Sequence, residues 1–227
     1  MKAMILAAGY GKRLRPLTEK TPKPMLPVAG KPLLQHHIER LAAMGVSELV
    51  INTSWLAEKI EDYFGDGSDY AVNITWSRES EPLETGGGIS KALPVLGEQP
   101  FLLINGDIWT DFPLLSAANY QLSSDQMAWL LLVENPDHNP KGDFGLLHDI
   151  VSYQPQVKFT FSGISLIRPQ LIQQGKSVGA QKCFPLRDVL RPAIEAQQVV
   201  GDIYRGQWCD VGTVDRYKNL NELLDGH

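Results

Sequence analysis

Cysteine is scarce in this chain: Cys183 and Cys209 are the only two among 227 residues. Two are too few for a disulfide framework, and no C-x-x-C pair suggests a structural metal or a redox motif. Both read as reduced thiols of a cytoplasmic protein. Long apolar runs are missing as well. The longest, Met127–Val133, falls far short of the ~20 residues a membrane-spanning helix needs. The apolar stretch Met1–Gly9 is too short for a signal peptide and runs into a loop rich in Gly, Lys and Arg. No lipidation motif is present. Positive charge is not in excess either. The 21 Lys and Arg are outnumbered by 26 Asp and Glu, for a net charge of -5. A nucleic-acid backbone is therefore excluded as the main partner, although a few cations gathered at one site can still hold a small anion.

What is present is ordinary globular composition, 43% hydrophobic and 21% charged, in a chain long enough to bury a full core unaided. Strand-like and helix-like patterns alternate. Strands are expected at Lys2–Ala7, Glu48–Asn52, Ile74–Ser77, Phe101–Asn105 and Met127–Glu134. Helices are expected at Pro32–Met44, Trp55–Phe64 and from Gly86 to Leu93. Apolar residues at Leu33, Leu34, Ile38, Leu41 and Ala42 share one helical face, and Gly45 ends that helix. This order implies an α/β fold: a doubly wound, mostly parallel sheet with helices on both faces. After Asn135 the pattern changes to shorter strands, at Gly145–His148, Val157–Ile167, Val199–Tyr204 and Gly206–Cys209, and to helices at Pro185–Ala196 and Val214–Leu224. The second part is expected to add strands to the same sheet. With no linker, internal repeat or low-complexity tract, residues 1–227 read as a single domain, about 1–134 forming one part and 135–227 the other.

The first strand leads into Ala8-Gly9-Tyr10-Gly11-Lys12-Arg13-Leu14-Arg15-Pro16. Small residues there let backbone N–H groups approach phosphates closely, and the loop falls at the carboxyl edge of the sheet, where such folds bind ligands. It is not a dinucleotide fingerprint, because the third glycine is replaced by Leu14. Nor is it a P-loop, because Leu6 and Arg13 stand where Gly and Ser/Thr are required. On its own a Gly-x-Gly is equally a tight structural turn. Pro22, Pro24 and Pro27 then surround Lys23 and Met25. Prolines fix φ, so they present Lys23 with little freedom, as suits a point contact to phosphate. A solvated lysine on a proline-rich surface loop has the same local signature. Asp107 follows the apolar strand Phe101–Ile104 and the turn Asn105-Gly106; Asp210 follows a short strand, two residues before Gly212. Taken singly, each could equally be a turn or cap aspartate.

Gly9-Tyr10-Gly11-Lys12-Arg13-Leu14-Arg15-Pro16-Leu17-Thr18 followed by Pro22-Lys23-Pro24-Met25-Leu26 closely resembles the signature of the sugar-1-phosphate nucleotidyltransferases. Glu84-Thr85-Gly86-Gly87-Gly88 is similar to that family's base-recognition turn, Asn105-Gly106-Asp107 to its metal-binding strand end, and Trp208-Cys209-Asp210-Val211-Gly212-Thr213 to its C-terminal metal motif. The resemblance covers nearly the whole chain. It implies a Rossmann-like nucleotide-binding part with a small added β/α sugar-binding part. The implied reaction joins a nucleoside triphosphate to a sugar 1-phosphate and releases pyrophosphate.

Site roles follow from the resemblance. Asp107 and Asp210 hold Mg²⁺. Arg13 meets the leaving phosphates, and Lys23 sits where charge builds up. Ala8, Gly9, Gly11, Lys12, Glu81 and Gly86 complete the nucleotide site; Asn105, Asp143, Gly145 and Ser162 contact the sugar. Glu81 replaces a Gln found in many relatives. An ionised Glu only accepts hydrogen bonds, which suits the N3–H of uracil and leaves guanine open. Many hexose-binding relatives carry a Glu-Lys-Pro segment. Here Asp149 is the one acid between Gly145 and Ser162, which is compatible with a sugar bearing its own carboxylate, such as N-acetylmuramate 1-phosphate in cell-wall sugar recycling. The expected pair is UTP with that sugar phosphate. Guanylyl or cytidylyl transfer to another sugar phosphate or phosphocholine is the alternative, with a non-catalytic sugar-nucleotide-binding module behind it. The expected partners are small molecules only, and no hexapeptide-repeat acyltransferase domain is expected. His36, His37, His138, His148, Trp55, Trp76, Trp129 and Cys209 are read as structural.

Overall fold

The computed structural model describes residues 1–177 and 182–225, with positions 175–177 described by backbone alone. β1 (Lys2–Leu6) is buried on both faces. Ala3 and Ile5 enter one core with Leu34, Ile38 and Leu41, while Met4 enters the other with Ile89 and Leu93. A strand of this kind needs a helical layer on each side. After a glycine loop and three short 3-10 turns (Lys12–Leu14, Leu17–Glu19 and Lys23–Met25) comes a small ribbon of β2 (Pro27–Val28) and β3 (Lys31–Pro32). α1 (Leu33–Ala43) follows, closed by Gly45 at φ 79°, whose backbone accommodates the left-handed turn. Next are β4 (Glu48–Thr53), α2 (Ala57–Phe64), β5 (Asn73–Arg78), α3 (Glu84–Leu96) and β6 (Phe101–Asn105). These match the expected alternation to within a few residues.

The remaining elements are β7 (Ile108–Thr110), α4 (Leu114–Ala118), β8 (Ala128–Val133), β9 (Gly145–Leu147), β10 (Ile150–Ser152), β11 (Thr160–Ile167), α5 (Pro169–Ser177), α6 (Arg187–Glu195), β12 (Val199–Tyr204), β13 (Trp208–Asp210) and α7 (Val214–Asp225). The nine-stranded sheet runs β5-β4-β1-β6-β11-β8-β12-β10-β9. β5, β4, β1 and β6 are parallel neighbours, as are β8 and β12. β11 lies antiparallel between β6 and β8, and β10 and β9 form an antiparallel edge. The second part of the chain thus extends the first sheet. α1 and α2 cover one face, while α3, α5 and α6 cover the other.

Two features place the site. The strand order reverses between β4 and β6, on either side of β1, and doubly wound sheets bind ligands at such a switch point. The carboxyl ends there are also in register: Leu6 pairs with Asn52 on one side and with Asn105 on the other, and Asn52 pairs with Ser77. The residues just beyond these ends, Ala7-Ala8, Glu79 and Gly106-Asp107, converge on one edge. The strand expected at Gly206–Cys209 lies instead at Trp208–Asp210. There it pairs with β7 in a separate ribbon, with Asp210 opposite Ile108.

Candidate active site

A cavity of about 370 Å³ opens at this edge. Its floor is the glycine loop. Gly11 has φ 62°, and a Cβ there would stand 2.9 Å from Thr18 Cγ2 and 3.3 Å from Lys23 Cβ, so only glycine fits without displacement. The loop is braced from behind. The buried Thr18 donates through Oγ1 to the Gly11 carbonyl at 2.8 Å, and Trp55 Nε1 donates to the Thr18 carbonyl at 3.1 Å. Trp55 is therefore only half-buried, against Tyr10, and braces the loop. Lys12 and Arg13 line the cavity beside Ala8, Gly9 and Gly11, with their side chains reaching solvent.

Lys23 is buried, with Pro22 and Pro24 buried on either side of it. Its Nζ donates to Asp107 Oδ2 at 2.6 Å, across 84 residues of sequence. Asp107 and Asn105 line the cavity too. Asp210 is the neighbour of Asp107: it lies opposite Ile108, and the Val211 N–H donates to the Asp107 carbonyl at 2.7 Å. Asp210 is partnered in turn by Arg216 Nη1 at 2.8 Å and lies 3.0 Å from His138 Nε2, both at Oδ1. Of the two expected aspartates, Asp107 lines the cavity and Asp210 does not, and His138, whose spacing suggests no partner, lies beside Asp210. Cys209, next to Asp210, has its thiol pushed up to about 11 by burial and then by the Asp210 charge.

α1 supports this ribbon from below. Arg40 donates through Nη1 to the Thr110 carbonyl at 2.6 Å and through Nη2 to the Phe112 carbonyl. His37 is buried, and its Nε2 has no hydrogen-bond partner among the described residues. Burial, then the Arg40 charge, drives its pKa down to about 4.

Several expected site residues lie elsewhere. Glu81 is exposed and does not line the cavity; Glu79, two residues earlier, does, and is 3% exposed. The Glu79 N–H donates to the Thr53 carbonyl at 2.7 Å, which keeps the chain in line with β5 and turns this carboxylate inward. By residue 81 the chain has left the sheet. Glu79 Oε1 accepts from Asn52 Nδ2 at 2.7 Å, and Oε2 accepts from the Leu83 N–H at 2.9 Å. Asn52 Oδ1 in turn accepts from the Ala7 N–H at 2.8 Å. Gly86 is buried in α3 against the Phe184 ring and does not reach the cavity, which Glu84 and Thr85 do.

On the sugar side only Asn105 reaches the cavity. Asp143 spends its carboxylate on the Phe161 N–H at 2.8 Å and on Asn139 Nδ2 at 3.2 Å. Gly145 packs against Pro155, and Ser162 is 0% exposed with its Oγ accepting from the Ile164 N–H. None of Asp143, Gly145 and Ser162 lines the cavity.

The nucleotidyl transferase family profile matches residues 2–150. One relative, N-acetylmuramate alpha-1-phosphate uridylyltransferase of Neisseria meningitidis, is 49% identical over 98% of this chain and 98% of its own. A mannose-1-phosphate guanylyltransferase of Mycobacterium tuberculosis is 38% identical over 60% of this chain, which is 38% of that relative. Among solved structures, one from Bacillus anthracis assigned as a glucose-1-phosphate thymidylyltransferase, in complex with sucrose, superposes with a TM-score of 0.88 at 21% identity, covering 98% of this chain and 94% of that one. A UDP-glucose pyrophosphorylase complexed with UDP-glucose gives a TM-score of 0.81 at 20% identity, with 99% and 98% covered. The profile spans most of the chain and the Neisseria relative spans nearly all of it, so the chain belongs to the nucleotidyl transferase family.

Proposed function

We propose that this chain transfers UMP from UTP to N-acetylmuramate α-1-phosphate in the cytoplasm, releasing pyrophosphate. The observation that carries the substrate pair is the 49% identity to the Neisseria uridylyltransferase along the full length of both chains. The cavity supports the reaction class. Its lining includes the cations Lys12, Arg13 and Lys23 and the buried carboxylate of Glu79.

The base goes to Glu79. An ionised carboxylate has about four acceptor positions, of which Asn52 and Leu83 take two. A free acceptor suits uracil N3–H and is repelled by the N3 acceptor of cytosine or the N1 acceptor of adenine. Guanine N1–H is the competing donor, and guanylyltransferases stand among the relatives. The triphosphate then lies along the glycine loop. Backbone N–H groups of residues 9–11 cradle it, and Arg13 neutralises the two phosphates that leave as pyrophosphate. The nucleophile is an oxygen of the sugar phosphate. Its second pKa of about 6 leaves it mostly ionised at neutral pH, so we assign no general base. Lys23, held by its prolines, offsets the charge that accumulates as the two anions meet.

The two aspartates fit a hard divalent cation. Asp107 directly precedes β7 and Asp210 pairs with Ile108, the first residue of β7, and each has one oxygen taken by an internal cation, Asp107 Oδ2 by Lys23 and Asp210 Oδ1 by Arg216. The other oxygen of each has no protein partner among the described residues. No cluster of three or more His, Cys, Asp or Glu that could hold a metal occurs among those residues. Mg²⁺ is commonly held by one or two carboxylates and completed by substrate phosphates. Asp107 and Asp210 would hold it, and when bound it supplies Lewis-acid neutralisation between the two phosphates. Phosphorus NMR tests the proposal: UTP and N-acetylmuramate α-1-phosphate should give UDP-N-acetylmuramate and pyrophosphate in equal amounts. Hydrolysis of UTP without sugar-nucleotide formation would contradict it.

A further inference from the structure

We infer that Arg216 is a positioning residue that presents Asp210 to the divalent cation; the inference rests on the two-aspartate reading above. Asp210 Oδ1 receives Arg216 Nη1 at 2.8 Å and lies 3.0 Å from His138 Nε2, while among the described residues no donor reaches Oδ2. Oδ2 borders Gly212, where a Cβ would stand 2.9 Å from it, and Gly212 lines the cavity. Asp210 does not itself line the cavity, but its neighbour Gly212 does; the carboxylate is held through Oδ1 and leaves Oδ2 unpartnered on the Gly212 side. Mg²⁺ is commonly bound through one or two carboxylates and completed by phosphates, and Asp210 would offer it Oδ2.

Arg216 is built to hold that orientation. Its side chain is 17% exposed, so its charge is largely desolvated, and separation from Asp210 would leave it uncompensated. Its helix has a fixed start: Thr213 caps α7, its Oγ1 accepting from the Arg216 N–H at 3.3 Å. α7 is then pinned to the ribbon that follows the Lys23 turn. Tyr217 Oη donates to the Pro27 carbonyl at 2.7 Å, and Asn221 Oδ1 accepts from the Ala29 N–H at 3.1 Å. Gly212 completes the fit, because a Cβ there would overlap the Arg216 guanidinium. Groups that orient a metal ligand from behind typically alter affinity by about 10- to 100-fold when removed.

The experiment is Mn²⁺ titration followed by electron paramagnetic resonance, with and without UTP, on the wild type, Arg216→Met, Arg216→Lys, Gly212→Ala and Asp210→Asn, each checked for folding by thermal unfolding. Arg216→Met should bind Mn²⁺ about 10- to 100-fold more weakly. Arg216→Lys should recover part of the loss. Gly212→Ala, which disturbs the pair without removing either partner, should move the same way. In turnover assays Arg216→Lys should raise the Mg²⁺ concentration needed for half-maximal rate and leave the KM for UTP unchanged, which a merely structural role would not do. Unchanged or tighter Mn²⁺ binding by Arg216→Met and Arg216→Lys, with binding lost in Asp210→Asn, overturns the role of Arg216 and leaves the aspartate site standing. If Asp210→Asn binds like the wild type, or the wild type takes up no Mn²⁺, the aspartate site falls and the inference with it. Should Arg216→Met fail to fold, the Lys and Gly212→Ala arms decide alone.

Discussion

Replacing Glu79 with Gln exposes the logic of base recognition. In the native protein both carboxylate oxygens accept, Oε1 from Asn52 Nδ2 at 2.7 Å and Oε2 from the Leu83 N–H at 2.9 Å. A glutamine has one oxygen and one NH₂ to place in these two positions. With the NH₂ toward Asn52, two donors collide. Rotating the Asn52 amide does not help, because its Oδ1 already accepts from the Ala7 N–H at 2.8 Å. With the NH₂ toward Leu83, the backbone N–H loses its partner. Either way one buried donor is stranded, at a cost of about 1–3 kcal/mol in stability. The effect on catalysis is separate. If uracil N3–H donates to the carboxylate, loss of that charged acceptor removes about 1.5–3 kcal/mol of binding, or about 10- to 150-fold in kcat/KM for UTP. The new NH₂ can donate to cytosine N3, so CTP should improve relative to UTP. Urea unfolding gives the first effect, and pyrophosphate release with each nucleotide gives the second. If Glu79→Gln kept kcat/KM for UTP within twofold and left the CTP-to-UTP ratio unchanged, Glu79 would have no part in reading the base, whatever its cost in stability.

Other expectations follow from the same geometry. Asp107→Asn and Asp210→Asn should each lower turnover by at least ~100-fold and also lower the unfolding midpoint, because each leaves a largely buried cation, Lys23 or Arg216, without its carboxylate; near-normal turnover in both would remove the two-aspartate site. Gly11→Ala places a side chain at φ 62° and 2.9 Å from Thr18 Cγ2. It should cost about 1–2 kcal/mol in urea unfolding and raise KM for UTP, and an unaltered KM would mean that the loop does not cradle the triphosphate. His37 is neutral in the fold, its pKa driven from 6.5 down to about 4 by burial. Its unfolded state binds the extra proton, so this contribution to stability is present above pH 6.5 and is lost as the pH falls toward 4, by roughly 3 kcal/mol in all. His37→Asn should flatten that part of the pH–stability curve, and an equally steep curve in the variant would assign the acid loss to other groups.

Much of the fold is legible in the order of residues alone. The strands buried on both faces, β1, β4 and β6, announce themselves as short continuous apolar runs, and the sheet's carboxyl edge follows from their order. Asp107 and Asn105 can be placed because they directly follow such a strand. The same rule finds Asn52 at the end of β4 and Glu79 just past β5. Glu81, which the resemblance offers for the base, is exposed and outside the cavity lining, and the chain's departure from the sheet before it leaves no mark in composition. β7, β10 and α4 are three to five residues long, too short for either periodicity to register. The turn between β9 and β10 is carried by His148 at φ 60° without a glycine signal. The contacts of Asp210 with His138 and Arg216 join loop, ribbon and helix, and no local pattern encodes them. Nor does sequence reveal that Asp143 and Ser162 spend their polar atoms on the backbone of β11.

The substrate pair is the centre of the account, and one steady-state comparison tests it most directly. Pyrophosphate release should be measured for UTP with N-acetylmuramate α-1-phosphate, N-acetylglucosamine 1-phosphate and mannose 1-phosphate, and for GTP and CTP with N-acetylmuramate α-1-phosphate. The highest kcat/KM should belong to UTP with N-acetylmuramate α-1-phosphate. N-acetylglucosamine 1-phosphate, which lacks the lactyl carboxylate, should fall behind by at least ~10-fold if one polar contact is lost. Equal or faster turnover of N-acetylglucosamine 1-phosphate, or a preference for GTP over UTP, would contradict the assignment.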